Sequence, residues 1–301
     1  MPALPLDVLC LGHAAYDLTF AIPHHPAPDE KSVADGFVSC GGGPAANAAV
    51  AVARLGGRSA FAGYLGQDVY GDLPLAELET EGVDTRLVVR GLSPTPLSVI
   101  LAKPDGRRSL VNYRGQTRPL PAHSLDPTLF QPKVILFDGL EPDASPPVAH
   151  WAREQGIPTV LDAGSVHRGT TALAGLVDYI VASEKFGLGY TGATDAVTAV
   201  SHLSQLAKTA VITLGARGLV WQTAEVSGHI PAFAVTAVDT TGAGDAFHGA
   251  FAYGLALGLP WPDLLRFASA AAALCCTRHG ARVGLPTGTA VADLLSDGSN
   301  R

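Results

Sequence analysis

The second half of the chain alternates short apolar runs with segments of helical periodicity. The apolar runs, which are typical of buried strands, lie at 134–137, 159–161, 179–181 and 210–214. Helical segments follow at 148–155 and 195–206, and two longer helices are expected at about 243–257 and 261–276. This alternation predicts an α/β fold, with a mostly parallel central sheet and helices on both of its faces.

The first half interrupts that pattern. Leu4–Leu11 is an apolar run typical of a buried first strand. Leu97–Ala102 and Ser109–Tyr113 then flank Pro104-Asp105-Gly106, which predicts a β-hairpin. Together with a weakly alternating segment at 31–38, this hairpin predicts a small second sheet. We expect one domain over 1–301, with a lid formed by about 14–40 and 95–116.

The composition of the chain limits its possible binding partners and its cellular compartment. The formal charge is −7 and the chain has no run of Lys and Arg, which argues against nucleic acid as the main partner. The four cysteines have neither zinc-site spacing nor a disulfide framework, which favours a reducing compartment. The sequence shows neither a signal peptide nor a long enough apolar stretch for a membrane span. We therefore expect a cytoplasmic protein without a membrane anchor.

Residues 237–251 carry the clearest functional pattern. Asp239-Thr240-Thr241 would end an extended segment, Gly242-Ala243-Gly244 would form a tight turn, and a helix would begin near Asp245. Free amides at a helix start bind anions, so a carboxylate there needs an explanation. Asp245 could accept a proton while the amides hold a phosphoryl group, or it could cap the helix. The spacing alone leaves both possibilities open.

A second glycine cluster, Gly41-Gly42-Gly43, precedes a predicted helix that begins at Pro44 and runs through residue 54. Asn47 is unusual in this alanine-rich helix and would either bind a ligand or cap the helix. Asp17 follows the first predicted strand, at the sheet edge where α/β proteins bind ligands. Its alternative role is to form a turn.

Other chemistries lack their motifs. The sequence contains no P-loop, no strand-linked G-x-G-x-x-G with a trailing acid, no protein-kinase landmarks and no G-x-S-x-G elbow. The ten histidines show no clear metal-ligand spacing. Phosphoryl transfer to a small polyol needs positioning, charge neutralisation and a base, and the remaining features supply these.

Residues 41–56 and 237–251 resemble the two signature regions of the ribokinase-like (PfkB-type) carbohydrate kinases. The resemblance extends over nearly the whole chain and implies a three-layer α/β/α fold with a small β-sheet lid. It also implies transfer of the γ-phosphoryl group of ATP to a sugar hydroxyl. Asp245 would be the base, and the amides of Gly242, Ala243 and Gly244 would stabilise the transferring group.

The same resemblance assigns the other ligand contacts. Sugar hydroxyls would be held by Asp17, Gly42, Gly43 and Asn47. ATP would lie along Ser183, Thr213, Gly215 and Gly218. A monovalent cation, K⁺, would bind at Asp239 and Thr241 beside the loop at 280–284. Mg²⁺ is expected with ATP, but the family's Asn-x-x-Glu motif is replaced by a run that starts at Ser183, leaving Glu184 as a water-mediated candidate.

In motif detail the chain looks most like sulfofructose kinases. Lys31 and Asn112 fall where those enzymes contact the sulfonate, and Arg114 is a further cation. Their guanidinium partner is replaced here by Leu140, and Glu141 matches a carboxylate that ribokinase-type enzymes direct at a neutral hydroxyl. A carboxylate 4 Å from an anion costs about 4 kcal/mol at an effective dielectric near 20. Glu141 therefore favours a neutral sugar, with a sulfo- or phosphosugar as the alternative.

Two other functions remain as alternatives. One is a nucleoside or vitamin kinase of the same fold, and the other is a non-catalytic sugar-binding module. Finally, the exposed strand edges of the lid would need cover, so we expect a homodimer formed through the lid.

Overall fold

A computed structural model describes residues 3–104 and 108–297. The described strands are β1 (Leu4–Leu11), β2 (Ala15–Ala21), β3 (Gly36–Gly42), β4 (Ser59–Gly66), β5 (Asp84–Gly91), β6 (Leu97–Ala102), β7 (Arg108–Tyr113), β8 (Phe130–Phe137), β9 (Thr159–Ala163), β10 (Tyr179–Ser183), β11 (Thr209–Thr213), β12 (Leu219–Thr223) and β13 (Ser227–Ile230). The described helices are α1 (Pro44–Arg54), α2 (Val69–Thr80), α3 (Ser145–Glu154), α4 (Arg168–Leu173), α5 (Glu184–Thr191), α6 (Ala196–Leu203), α7 (Ala243–Leu257), α8 (Trp261–Cys275), α9 (Ala281–Gly284) and α10 (Gly288–Asp297).

The large sheet has the described strand order β13-β12-β11-β10-β9-β8-β1-β4-β5. In this order, the strands β11, β10, β9, β8, β1, β4 and β5 are parallel to one another, whereas β12 is antiparallel to both β11 and β13. Parallel strands place their carboxyl ends at one edge, so the loops that follow β1, β8, β9, β10 and β11 share that edge. The predicted mostly parallel sheet is confirmed.

Two apolar layers cover the faces of this sheet. In β1 the side chains of Val8 and Cys10 join the core that packs on α1, α7 and α8. Leu9 and Leu11 point to the opposite core, which includes residues of α3, α5 and α6. Because successive side chains of a strand alternate between its faces, a continuous apolar run serves a sheet that is buried on both sides. This produces the three-layer α/β/α fold.

A second sheet, the lid sheet, has the described order β3-β2-β6-β7. β6 matches the predicted strand in both bounds, and the small sheet inferred from the hairpin is confirmed. The predicted turn residues Asp105 and Gly106 lie outside the described residues. The segment predicted at 31–38 becomes β3 only from Gly36, and β2, which contains Asp17, was not predicted as a strand.

Among the described helices, none combines the length and apolar character needed to cross a bilayer.

Candidate active site

A cavity of about 300 Å³ lies between the lid sheet, the carboxyl edge of the large sheet and the start of α7. Eight of the predicted site residues line it together: Asp17, Gly43, Asn47, Asn112, Arg114, Thr241, Gly242 and Asp245. They come from β2, the loop before α1, α1 itself, the end of β7 and the turn into α7. The fold thus brings most of the predicted sugar-binding and catalytic positions to one place.

Asp245 is the third residue of α7, and it does not cap that helix. The N-cap is Gly242, with φ of 79°, and the cap has no side-chain hydrogen bond. Instead, one oxygen of Asp245 (Oδ2) accepts a hydrogen bond of 2.7 Å from Nδ2 of Asn47. Asn47 does not cap α1 either, because the N-cap of that helix is Gly43, which has no side-chain cap bond. The capping interpretation of both residues is wrong.

The surroundings of Asp245 favour its protonated form more than water does. Burial, followed by the nearby Asp162 carboxyl, raises the pKa of Asp245 to about 7, while the Asn47 hydrogen bond opposes that rise. Below it, Nδ1 of His248 lies 3.2 Å from Oδ2 of Asp162, and its Nε2 lies 3.1 Å from the carbonyl oxygen of Val181. Burial lowers the pKa of His248. A carboxyl that titrates near neutral pH suits general-base chemistry.

The three glycines before α1 make room for functional groups. An added Cβ at Gly42 would lie 2.3 Å from the carboxylate of Asp17. Gly43 has φ of 95°, and a Cβ there would lie 2.4 Å from the carbonyl oxygen of His13. We call residues 41–43, the end of β3 and the link to α1, the glycine loop. Its close approach to β2 requires glycine.

Asp17 lies within β2, where it pairs with Cys40 of β3 and Ser98 of β6. It is buried, and this burial raises the pKa of Asp17 to about 6, although the Ser98 hydroxyl and the Arg282 guanidinium both lower it. The turn-forming role considered for Asp17 is wrong, because the residue sits in regular strand structure. Asp17 lines the cavity, and an ionised carboxylate can accept hydrogen bonds.

The turn into α7 is fixed by Asp239. Its Oδ1 accepts hydrogen bonds from the amide and the hydroxyl of Thr241, at 2.8 and 2.6 Å. Its Oδ2 accepts a 2.8 Å bond from the amide of Gly280. Arg108 reaches this turn from the lid sheet, donating from Nη1 to the Thr241 hydroxyl at 2.8 Å. The lid sheet is thus in direct contact with the turn into α7, residues 239–244, which we call the anion turn after its predicted role.

Four residues predicted to bind ATP lie outside this cavity, near the carboxyl ends of β10 and β11. Ser183 caps α5, accepting from the amide of Phe186 at 3.0 Å, and Thr213 donates to the carbonyl oxygen of Ala182 at 3.3 Å. Gly215 and Gly218, with φ of 60° and 88°, bound a short turn between β11 and β12. These residues form a group of their own, separate from the sugar-binding positions.

Glu184, the predicted magnesium contact, forms an ion pair with Arg217. Over residues 3–104 and 108–297, no group of three or more His, Cys, Asp and Glu side chains could hold a metal ion.

Three predicted sugar-binding residues, Lys31, Gly42 and Glu141, do not line the cavity. Lys31 is exposed in the loop that precedes β3. Glu141 is buried, and its Oε2 accepts a 2.5 Å hydrogen bond from the amide of Leu120. Leu140 lines the cavity in its place. The contact of Glu141 with the acceptor stays a prediction, and in this structure a backbone donor 21 positions away bonds to one of its oxygens.

Sequence reasoning missed several residues at this site. His13 and Arg108 line the cavity, Asp138 accepts the His13 amide at 2.7 Å, and Arg282 lies beneath the glycine loop. The sequence could have indicated Arg108, because it belongs to the same predicted hairpin as the candidate residue Asn112 and lies close to Arg114. For Arg282 the sequence offered none, because its partners are more than 200 positions away.

Comparison with known proteins assigns this chain to a family. The model of the pfkB family carbohydrate kinases matches residues 5–288. The chain belongs to the pfkB family of carbohydrate kinases. It is an ATP-dependent carbohydrate kinase, and the predicted family membership is confirmed.

Relatives support this membership over nearly the full chain. Ribokinase of Bacillus subtilis (strain 168) is 29% identical over 297 residues, covering 96% of this chain and 99% of the relative. Fructokinase-2 of Solanum habrochaites is 31% identical, covering 88% of this chain and 90% of the relative. Ribokinase of Arabidopsis thaliana, solved in complex with ribose and ATP, has a TM-score of 0.84 at 28% identity, covering 97% and 99% of the two chains. The pfkB kinase described here therefore has the ribokinase-like fold, lid sheet included.

Proposed function

We propose that this kinase transfers the γ-phosphoryl group of ATP to a sugar hydroxyl, with Asp245 as the general base. The observation that carries the proposal is the position of the Asp245 carboxylate, at the start of α7 and on the cavity that Asp17 and Asn47 also line. A base there can take the hydroxyl proton as that oxygen attacks phosphorus.

The first turn of α7 supplies the complementary charge. Amides at a helix start have no intrahelical acceptor, and the helix dipole adds partial positive charge. We assign the amides of Gly242, Ala243 and Gly244 to the transferring phosphoryl group. Gly242 fits this role because its positive φ turns the chain sharply into the helix, and a Cβ there would lie 2.8 Å from Ala281.

Asp17 and Asn47 would hold the acceptor sugar, with Gly42 and Gly43 allowing the loop to approach it. A neutral sugar is the first candidate acceptor, consistent with the ribokinases and fructokinases among the relatives. Glu141 gives a neutral acceptor no direct support, since it does not line the cavity and its Oε2 accepts from the Leu120 amide.

A sugar with an acidic substituent is the second candidate. Arg108 and Arg114 both line the cavity, together with Asn112. Within the described part of the chain, the side chain of Arg114 makes no hydrogen bond or ion pair, although its charge opposes the rise that burial causes in the pKa of the Asp138 and Glu141 carboxyls. A guanidinium facing a cavity without such a partner favours a phosphate, sulfonate or carboxylate on the ligand.

A nucleoside acceptor has less support. None of the described residues that line the cavity is Phe, Tyr or Trp, so a base would have no aromatic ring to stack on.

Cations complete the proposed chemistry. We propose that Mg²⁺ would arrive with ATP and that Glu184 would contact it through a water molecule. For K⁺ the donor set fits: the carbonyl oxygens of Thr241 and Ala281 both lie within 3.8 Å of the Cys275 thiol, close to the Asp239 carboxylate. Bound there, K⁺ would brace the anion turn, while Arg108 is a second positive group 3.8 Å from Asp239.

We also propose a cytoplasmic homodimer. All four cysteines are free, and three are buried, which supports a reducing setting. Strand β7 is an edge strand of the lid sheet with all six residues exposed, and pairing across a twofold axis would cover it.

The deciding experiment measures ATP consumption with Mg²⁺ and K⁺ over neutral, phosphorylated, sulfonated and carboxylated sugars. We expect turnover with one class, reduced by ~10²-fold or more in Asp245→Asn. The matched control is Asp263→Asn, an exposed acid in the first turn of α8, which should keep normal turnover. Wild-type turnover in Asp245→Asn would contradict the assignment of the base.

A further inference from the structure

Arg282 is a buried cation that the proposed chemistry leaves unexplained. Only 3% of this residue is exposed, although it belongs to the short helix α9 near the surface of the fold. Its Nη1 donates to Oε2 of Glu77 at 2.8 Å, while its Nη2 has no hydrogen-bond partner in the described chain. Burying a guanidinium costs free energy unless its contacts compensate, so this position needs a structural or functional reason.

The first reason lies in Asn47. Nε of Arg282 points at Oδ1 of Asn47, at 3.4 Å. A guanidinium can only donate, so this contact selects the amide orientation that turns the carbonyl oxygen of Asn47 toward Arg282. Nδ2 of Asn47 then faces Asp245, to which it donates at 2.7 Å. In the opposite orientation, the amide oxygen would face the carboxylate and repel it.

The second reason lies in the glycine loop. A Cβ at Gly41 would lie 1.8 Å from Nη1 of Arg282, so the absence of a side chain there opens the space for the guanidinium. Glu77, on α2, accepts both from Arg282 and from the amide of Gly41, the latter at 2.7 Å. The positive charge of Arg282 also lowers the pKa of the neighbouring Asp17. One guanidinium thus links α2, the glycine loop, α1 and α9.

We propose that Arg282 is a positioning residue for the kinase reaction: it fixes the Asn47 amide so that Asp245 receives a hydrogen bond, and it balances the charge of Asp17. The inference rests on the proposed role of Asp245 as base. Arg282 itself does not line the cavity and touches no reacting atom.

The hydrogen bond from Asn47 stabilises the ionised form of Asp245, which is the form that accepts a proton. Other charged or titratable groups that face Asp245 are Asp162 on β9, His248 on α7, Asp17 on β2, Cys275 on α8 and Arg108 on β7. Of these groups, Asp17 also responds to the charge of Arg282. A variant that keeps this charge is therefore needed to isolate the effect of Arg282 that passes through Asn47.

The test is a double-mutant cycle read out as the pH dependence of kcat/KM for the acceptor. The acidic limb is the part of the profile in which kcat/KM falls as pH decreases. Asn47→Ala and Arg282→Met should each move this limb to higher pH by about one unit. The double variant of Asn47→Ala with Arg282→Lys should move it no further than Asn47→Ala alone, because with a positive charge kept near Asp17 the remaining effect of Arg282 passes through Asn47. Arg58→Met, which alters an exposed arginine paired with Asp7 away from the site, should leave the limb unchanged.

Arg282→Lys carries the test if Arg282→Met does not fold. Lysine keeps the charge near Asp17 but lacks the fork that bonds Glu77 and Asn47 together. We expect an acceptor KM within about threefold of wild type, with the shift in the acidic limb retained.

The outcomes separate the two proposals. An unchanged acidic limb in the folded Arg282 variants, or a further shift in the double variant, would overturn the positioning role of Arg282. The role of Asp245 as base would still stand if Asp245→Asn loses turnover. Normal turnover in Asp245→Asn would overturn both.

Discussion

At the scale of single residues, the proposed base combines two demands that oppose each other. Asp245 needs a raised pKa to accept a proton near neutral pH, and burial raises it to about 7. It must also be ionised to act, and Asn47 supplies the hydrogen bond that favours this form. The balance between these effects predicts the pH dependence of both activity and stability.

For activity, we expect kcat/KM of the wild type to fall as pH decreases through about 7, approaching tenfold per pH unit, because protonated Asp245 cannot accept the hydroxyl proton. The measurement is a pH–rate profile at saturating ATP. A fall in kcat/KM only near pH 4 would show that burial does not raise the pKa of this carboxyl in the ATP-bound enzyme.

For stability, Asp245→Asn should stabilise the fold at high pH. The folded pKa is raised above the ordinary value of 3.8, so between pH 4 and 7 the folded state binds a proton that the unfolded state has released. The wild type therefore loses stability as pH rises through this window, and Asn does not. We expect Asp245→Asn to be more stable by on the order of 2 kcal/mol at pH 8, with a smaller difference at pH 5. Equal differences in free energy of unfolding at both pH values would contradict this.

At the scale of secondary-structure elements, the loop before α1 and strand β2 are built around each other. The carboxylate of Asp17 occupies the space where Gly42 would carry a side chain. The same loop leads into α1, which presents Asn47 to Asp245. Gly42 thus matters because the space left by its missing side chain is occupied by a functional group of the neighbouring strand.

We therefore expect Gly42→Ala to raise the KM for the acceptor by ~10-fold or more, since the new Cβ must displace Asp17, while the KM for ATP stays within about twofold. The control is Gly175→Ala, because a Cβ at Gly175 meets no atom within 4 Å. Steady-state kinetics with each substrate varied in turn measures both constants. A proportional rise in both KM values would indicate general damage to the fold instead.

At the scale of the whole molecule, the lid sheet joins the site to the surface. Its inner residues line the cavity, and Arg108 contacts the turn into α7. Its outer strand exposes apolar side chains, with Val111 63% and Tyr113 56% exposed. An edge strand of this kind can pair with a second copy of itself.

We expect the wild type to sediment as a dimer at micromolar concentration and Val111→Glu to sediment as a monomer, because a charge at each paired edge opposes burial of the interface. Val197→Glu provides the control, since Val197 is 66% exposed on α6. Analytical ultracentrifugation distinguishes the two states. A monomeric wild type, or a dimer that persists in Val111→Glu, would rule out pairing through β7.

The sequence alone determined the features that neighbouring residues encode. Apolar runs of strand length and helical periodicity predicted the parallel sheet and its two helical layers, and Pro104-Asp105-Gly106 indicated the lid hairpin. The order Gly-Ala-Gly-Asp at 242–245 indicated the anion turn. Such signals are local, because backbone preference and side-chain periodicity act over a few residues.

Only the tertiary structure decided which side chains meet. Asn47 and Asp245 are 198 positions apart, and Arg282 and Glu77 are 205 apart. The same packing gave the Glu141 carboxylate a hydrogen bond from the amide of Leu120. Hydrogen bonds and ion pairs of this kind depend on distances that the fold sets after the elements have formed, and a single sequence carries no local signal for them.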